Sequence, residues 1–452
     1  MKTLIKGGRI LDPAQNYDKV ANLLIEDGKV VCVTDEELPA DRVLDASGRM
    51  VTPGFIDIHM HEDPYDGKTG EMKQDISKSM LLMGVTTAIG GNCGDNYADP
   101  RAYLDHIDEC GNCMNLGLLV GHTWTRETSG GTDKYAPVDD ATIDKMEALA
   151  KSCLEAGCMG VSFGVKYVPG TRMEEMTRLA ALCTPSGRLV TSHVRNDVSR
   201  VYAAVKEMDD LAKATGCRVQ ISHIGSMGGY GQMKQLLKDV ESYKAGGTDI
   251  MCDCYPYTAF STFIGSTTYD PENYAEYNAD YSAILMSTGK YAGQRCTKEI
   301  YDWERANAPE DITVGFLMVE EDVDMALRHP LVMLGSDGLR HGDQGHPRAA
   351  GAFPRYIAEY IRTGKVGLME GIAKMTSLPA ERLGLAKKGS LQPGSDADIV
   401  IFDYENIRDT ATFEEPALVP EGIDYVIIGG EIAAKDGEIV NAHLGRSVRW
   451  EG

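Results

Sequence analysis

Nine short apolar runs, most of them separated by helical stretches, fill residues 54 to 337 and constrain the fold more than any other feature. They are "GFIDIH", "GVTTAIGG", "LGLLVG", "GCMGVSFG", "RLVTSHV", "CRVQISHI", "TDIMCDCYPY", "ITVGFLM" and "PLVMLGSD". Between them lie helical patterns such as "DATIDKMEALAKSCLEAG", with Asp140 as its start and Gly157 as its stop. Strand alternating with helix over this length implies parallel βα units. A (β/α)8 barrel is the best fit, and an open doubly wound sheet is second, because no GxGxxG follows the first strand. A closed barrel needs eight strands, so one of the nine runs is either not a strand or an accessory one. The Tyr-rich stretch 258–310 lacks a clean strand and reads as an insertion on a βα loop.

The two chain ends differ in character. "TLIKGGRIL", "NLLIEDGKVVCV" and "RVLDASGRMV" alternate apolar and polar residues, and the turns "EDGK" and "ASGR" between them suggest hairpins. "GSDADIVIFD" and "IDYVIIGGEIAAKDGEIV" repeat that pattern near the other end. The chain carries 45 basic and 68 acidic side chains, a formal charge of -23. That balance argues against nucleic acid and against an anionic membrane surface as partners. The 11 cysteines form no framework, and "MKTLIKGGRI" lacks the apolar core of a signal peptide, so a cytoplasmic location is expected. Cys110 and Cys113 make a single CxxC without a second half, too little for a zinc knuckle.

Chemistry in a barrel sits where its strands end. His59 and His61 end the first run, and being two apart they share a face. Cys93 follows the second run, Lys166 a middle one, and His193 and His223 end two more; Asp337 follows the last. Only ten histidines occur in the chain, so four of them at three strand ends is far from random. Imidazoles with an anionic group suit zinc or a similar divalent metal with one position left for water. Such a metal lowers the pKa of its water to ~7, and a nearby carboxylate, here Asp337, can carry the proton onward to a leaving nitrogen.

HxH after the first strand, lone histidines after two later ones and a final Asp resemble the amidohydrolase superfamily. Within it, "GNCG", "DCYPYTAFST", "GSDGLRHGDQGHPRAAGAFPRYI" and "KMTSLPAERLGL…GSLQPGSDADIVIFD" resemble the N-acyl-D-amino-acid deacylases (D-aminoacylases). The resemblance runs from the first strands to about residue 445. It implies a small β-sandwich built from residues 1–52 and 388–452 beside a catalytic barrel over 53–387. It also implies hydrolysis of a linear amide of a small N-acyl acid, most of all an N-acyl-D-amino acid. His193, His223 and Cys93 match the tight metal site, and His59 and His61 match a second one, with one or two Zn2+ per subunit expected. Asp337 matches the acid and base. Tyr167, Tyr255, Ser261 and Arg348 match positions that grip the substrate carboxylate and polarise its amide, and Arg195 is placed with them. Barrels of this kind often associate, so a homo-oligomer is expected.

Two departures stand out. Gly225, in "SHIGSMG", occupies a position where family members commonly carry a Lys, so one cation for the substrate carboxylate is missing. The other is Lys166, whose place after a strand resembles that of the carboxylated Lys with which dihydroorotases and hydantoinases of the superfamily bridge two metals. It is expected either as an N6-carboxylysine bridging two metals, in place of Cys93, or as a substrate cation. The former would favour a cyclic-amide hydrolase of the dihydroorotase or hydantoinase type.

Overall fold

Eight of the nine apolar runs become strands that neighbour one another in chain order. They are β1 (Phe55–Asp57), β2 (Val85–Gly90), β3 (Asn115–Leu118, resumed after Leu119 by Val120–Gly121), β4 (Gly160–Gly164), β5 (Leu189–His193), β6 (Arg218–Ile221), β7 (Ile250–Cys254) and β8 (Val332–Leu334). The structure is a computed structural model and describes residues 1–451. Each strand pairs with the next in parallel. Chain just beyond β1 meets chain just beyond β8: Met60 bridges Gly338 in parallel, and the Asp337 N–H donates to His59 O at 2.8 Å. Strands β2, β4, β5 and β7 are buried at every position. That is why they read as continuous apolar runs rather than alternating ones.

The ninth run is the accessory strand. Ile312–Gly315 pairs antiparallel with Phe260–Phe263 on one side and Ile284–Met286 on the other. The insertion therefore holds two strands of its own, contrary to the expectation of none. They were illegible because each spans only three or four residues, and "FSTF" mixes hydroxyls with aromatics. The helix expected from Asp140 spans Asp140–Glu155 and is capped one residue earlier, where Asp139 accepts the Thr142 N–H at 2.8 Å.

Both chain ends meet in one nine-stranded mixed sheet, in which Ile399–Phe402 pairs antiparallel with Met50–Pro53. The "EDGK" hairpin forms as expected: Glu26 faces Lys29 across a two-residue turn in which Asp27 and Gly28 have φ of 49° and 78°. "ASGR" does not make a hairpin. Arg42–Asp45 and Met50–Pro53 instead both lie parallel to Lys2–Asp12, end to end along it. Ile5, Leu23, Ile25 and Val51 pack with Ile399, Ile401 and Ile427 in an apolar cluster drawn from both ends. Each fully buried Ile or Leu of that kind stabilises by roughly 1.5–3 kcal/mol, enough in sum to hold the ends together. Among the described residues, no helix is long and apolar enough to cross a membrane.

Candidate active site

His59, Cys93, His223 and Asp337 converge beyond the ends of β1, β2, β6 and β8. One donor atom from each lies within 4.8 Å of all the others, and all four residues are buried. His59 Nε2 is 3.5 Å from Cys93 Sγ and 3.4 Å from Asp337 Oδ1, while His223 Nε2 is 3.3 Å from Cys93 Sγ. The opposite ring nitrogens are engaged elsewhere. His59 Nδ1 faces Asp253 Oδ1 at 3.0 Å, and His223 Nδ1 faces Ser226 Oγ at 2.9 Å. With each Nδ1 so engaged, each Nε2 faces inward, the orientation that metal-ligating histidines need.

The backbone is bent to achieve this. Cys93, His223 and Asp337 have φ of 55°, 36° and 51°, three of only eight non-glycine residues with positive φ among the described ones. Such conformations cost energy and persist where packing imposes them, often at functional sites. Asp253 holds the bend at His223 by accepting its N–H at 2.7 Å, and Asp57 accepts the N–H and hydroxyl of Ser336 beside Asp337.

The electrostatics suit a cation. Burial pushes the Cys93 thiol up, but His223 and His59 outweigh it and hold the group well below the usual thiol range. Burial also opposes ionisation of Asp337, yet Arg348 and the neighbouring histidines hold it well below the usual carboxylate range. Burial and His223 push His193 down to about 4, leaving a neutral imidazole. His193 is buried with no hydrogen-bond partner on either ring nitrogen, its ring 4.5 Å from those of His223 and Tyr167. Two orphaned nitrogens cost energy in a protein interior unless something binds them. The donor set of imidazoles, thiolate and carboxylate fits zinc or a similar divalent metal.

The cluster stands at one side of a cleft of about 280 Å3. His61, Tyr167, His193 and Ser261 line it as well. His61 Nε2 is 3.2 Å from Asp337 Oδ1, while the Ser261 hydroxyl donates to Thr313 O at 2.8 Å. His59 and four other expected site residues do not line the cleft. Arg348 Nη2 pairs with Asp337 Oδ2 at 2.9 Å, behind the cluster, with its guanidinium 4.5 Å from the Tyr255 ring centre. Tyr255 is buried there, its hydroxyl 3.9 Å from Met318 Sδ. Arg195 spends its guanidinium on Glu207 and on the carbonyls of Pro169 and Thr171. Lys166 Nζ donates to Asp197 Oδ1 at 2.6 Å, and Asp197 also accepts from the Tyr277 hydroxyl. Sequence reasoning missed Asp253, whose one signal was an acid inside the apolar run "IMCDC" of β7. It also missed Glu62, a buried carboxylate that accepts the Gly91 N–H at 2.6 Å beside the Cys93 turn.

The amidohydrolase family model matches residues 42–268 and 292–434. The chain is 31% identical to an N-acyl-D-glutamate deacylase of Alcaligenes xylosoxydans xylosoxydans, over 94% of this chain and 92% of that protein. It is also 31% identical to a D-aminoacylase of the same organism, over 98% and 96%. Among solved structures it resembles N-acyl-D-glutamate deacylase from Bordetella bronchiseptica, complexed with zinc and a phosphonate inhibitor that mimics the reaction's tetrahedral intermediate. The TM-score there is 0.89 at 30% identity, covering 99% of both chains. Dihydroorotases match at lower identity, 27% for that of Aquifex aeolicus (strain VF5) over 89% of this chain and 90% of that one. The chain is therefore a hydrolase of the amidohydrolase family, in its D-aminoacylase branch.

Proposed function

We propose that the protein hydrolyses the amide of an N-acyl-D-amino acid, giving a carboxylate and the free D-amino acid, with zinc at the His59–Cys93–His223–Asp337 cluster. The observation that carries this reading is that cluster, opening on a cleft, in a chain that matches two deacylases over nearly its whole length. We read the eight parallel strands, joined through Met60 and Gly338, as a (β/α)8 barrel over about 53–387. The sheet made from both chain ends is then the separate small domain. Eleven free cysteines fit a reducing, cytoplasmic setting.

Cys93, His223 and His193 would hold the metal most firmly, with His59, His61 and Asp337 closing the site. Bound there, the metal would supply an activated water and polarise the acyl carbonyl. Asp337 takes the proton from the attacking water and returns it to the amide nitrogen as the C–N bond breaks. Arg348 keeps that carboxylate oriented and ionised before attack. Tyr255 packs under the Arg348 guanidinium, so its contribution runs through Arg348. Asp253 orients the His59 ring and fixes the His223 backbone. Tyr167 and Ser261 shape the wall against which the substrate lies.

The ion pair of Lys166 with Asp197 favours Cys93 as the anionic metal ligand and Lys166 as a buried cation tying the end of β4 to the loop after β5. Lys166→Met should therefore keep its zinc while losing stability on the scale of a broken buried pair, about 3–5 kcal/mol. Elemental analysis and thermal melting measure both, and loss of zinc would restore the carboxylated-lysine reading. The function itself is tested by offering N-acetyl and N-formyl amino acids of both hands, beside hydantoin and dihydroorotate, with zinc added. Turnover of D-configured N-acyl amino acids is expected. Turnover confined to the cyclic amides would point to the dihydroorotase-type alternative.

A further inference from the structure

We propose that Lys134 is the cation that receives the substrate's carboxylate, in place of the lysine missing at Gly225. This rests on the deacylase reading above. Among the described residues that line the cleft, Lys134 is the one Lys or Arg. The walls also carry five acids, of which Asp197 and Asp337 are paired with Lys166 and Arg348 while Glu62, Asp95 and Glu310 have no cationic partner among the described residues. Lys166 and Arg348 are consumed by Asp197 and Asp337, outside the lining, so neither is free for a ligand. Beside the three unpaired acids an anionic substrate is favoured by a counter-charge beyond the metal site. Lys134 is half-buried, and its ammonium has no carboxylate or carbonyl partner among the described residues. It lies 5.3 Å from the ring centre of its neighbour Tyr135.

The loop that carries Lys134 is held from three sides. Arg126, itself buried, donates Nη1 to the carbonyls of Gly131 and Asp133, each at 2.9 Å, and Nη2 to that of Ala136. Glu175 lies 3.3 Å from Arg126 Nε and 2.7 Å from His122 Nε2, so it anchors the arginine. The Lys134 carbonyl accepts the Gly170 N–H at 2.9 Å, and the Tyr135 hydroxyl donates to Asp270 of the insertion at 2.8 Å. A loop tip spending a buried arginine on three carbonyls has a fixed shape. The residue it presents to the cleft without a partner is Lys134, and a preorganised cation binds an anion at lower entropic cost than a floppy one.

Steady-state kinetics on the zinc-loaded protein with N-acetyl-D-methionine, or whichever N-acyl amino acid the wild type turns over best, tests this. Lys134→Met should raise KM by about ten- to a hundredfold, the scale of a charge-assisted hydrogen bond, with a much smaller change in kcat. Lys134→Arg should recover much of the loss. A KM within twofold of wild type in Lys134→Met, with zinc and melting temperature intact, overturns the assignment while the deacylase reading stands. Equal KM increases in the Met and Arg variants also overturn it, because charge would then not be what the residue supplies. If the wild type turns over no N-acyl amino acid of either hand, the deacylase reading fails and the role of Lys134 falls with it.

Discussion

His223→Ala is expected to abolish activity and to lose most of the bound zinc. The ring supplies one of the four inward-facing donor atoms, and its Nε2 is 3.3 Å from Cys93 Sγ, which it helps keep ionised. Removing it deletes a ligand and raises the cost of the Cys93 thiolate at once, so both remaining contributions weaken together. The residue sits at φ 36°, where alanine is also strained. His223→Asn separates the two effects, because asparagine tolerates that conformation. Zinc content by elemental analysis should fall in both variants. If His223→Ala retains both zinc and activity, the metal site is misassigned.

Asp337→Asn should give a different defect. His59, Cys93, His193 and His223 remain, so zinc is expected to stay bound, while turnover falls by roughly 10²-fold or more, the usual scale for a positioned acid–base group. Asparagine is close in size and accepts at one oxygen, but it cannot carry the proton. It also leaves the buried Arg348 guanidinium without its anionic partner, 2.9 Å away in the native pair, so the variant should melt earlier as well. Single-turnover rates at matched zinc occupancy separate the chemical defect from the structural one. Activity within a few-fold of wild type would remove Asp337 from the proton-transfer role.

The residues most legible in the sequence are those directly after an apolar strand. His59, Cys93, His193, His223 and Asp337 could be picked out because β1, β2, β5, β6 and β8 are buried runs with abrupt polar ends. Their convergence follows from strand order alone once the strands are parallel neighbours. What was not legible depends on contacts between distant segments. Arg195 follows β5 just as a substrate ligand would, yet Glu207 on the next helix takes its guanidinium. Arg348 and Asp337 lie close in sequence, but nothing local announces that they pair with each other rather than with a ligand. "ITVGFLM" looked like one more parallel strand because a short buried run reads the same in an antiparallel accessory sheet. The positive φ angles at Cys93, His223 and Asp337 left no trace at all, since none of these positions is a glycine.

The central claim is that zinc at this cluster drives hydrolysis of N-acyl-D-amino acids. It is tested most directly by stripping the protein of metal, returning zinc in measured equivalents, and following release of the free amine from an N-acetyl-D-amino acid and its L counterpart. The account predicts negligible activity without metal, activity that rises with the first equivalent of zinc, and a clear preference for the D substrate. Full activity in the stripped protein would contradict it, as would inactivity toward both hands at every zinc level.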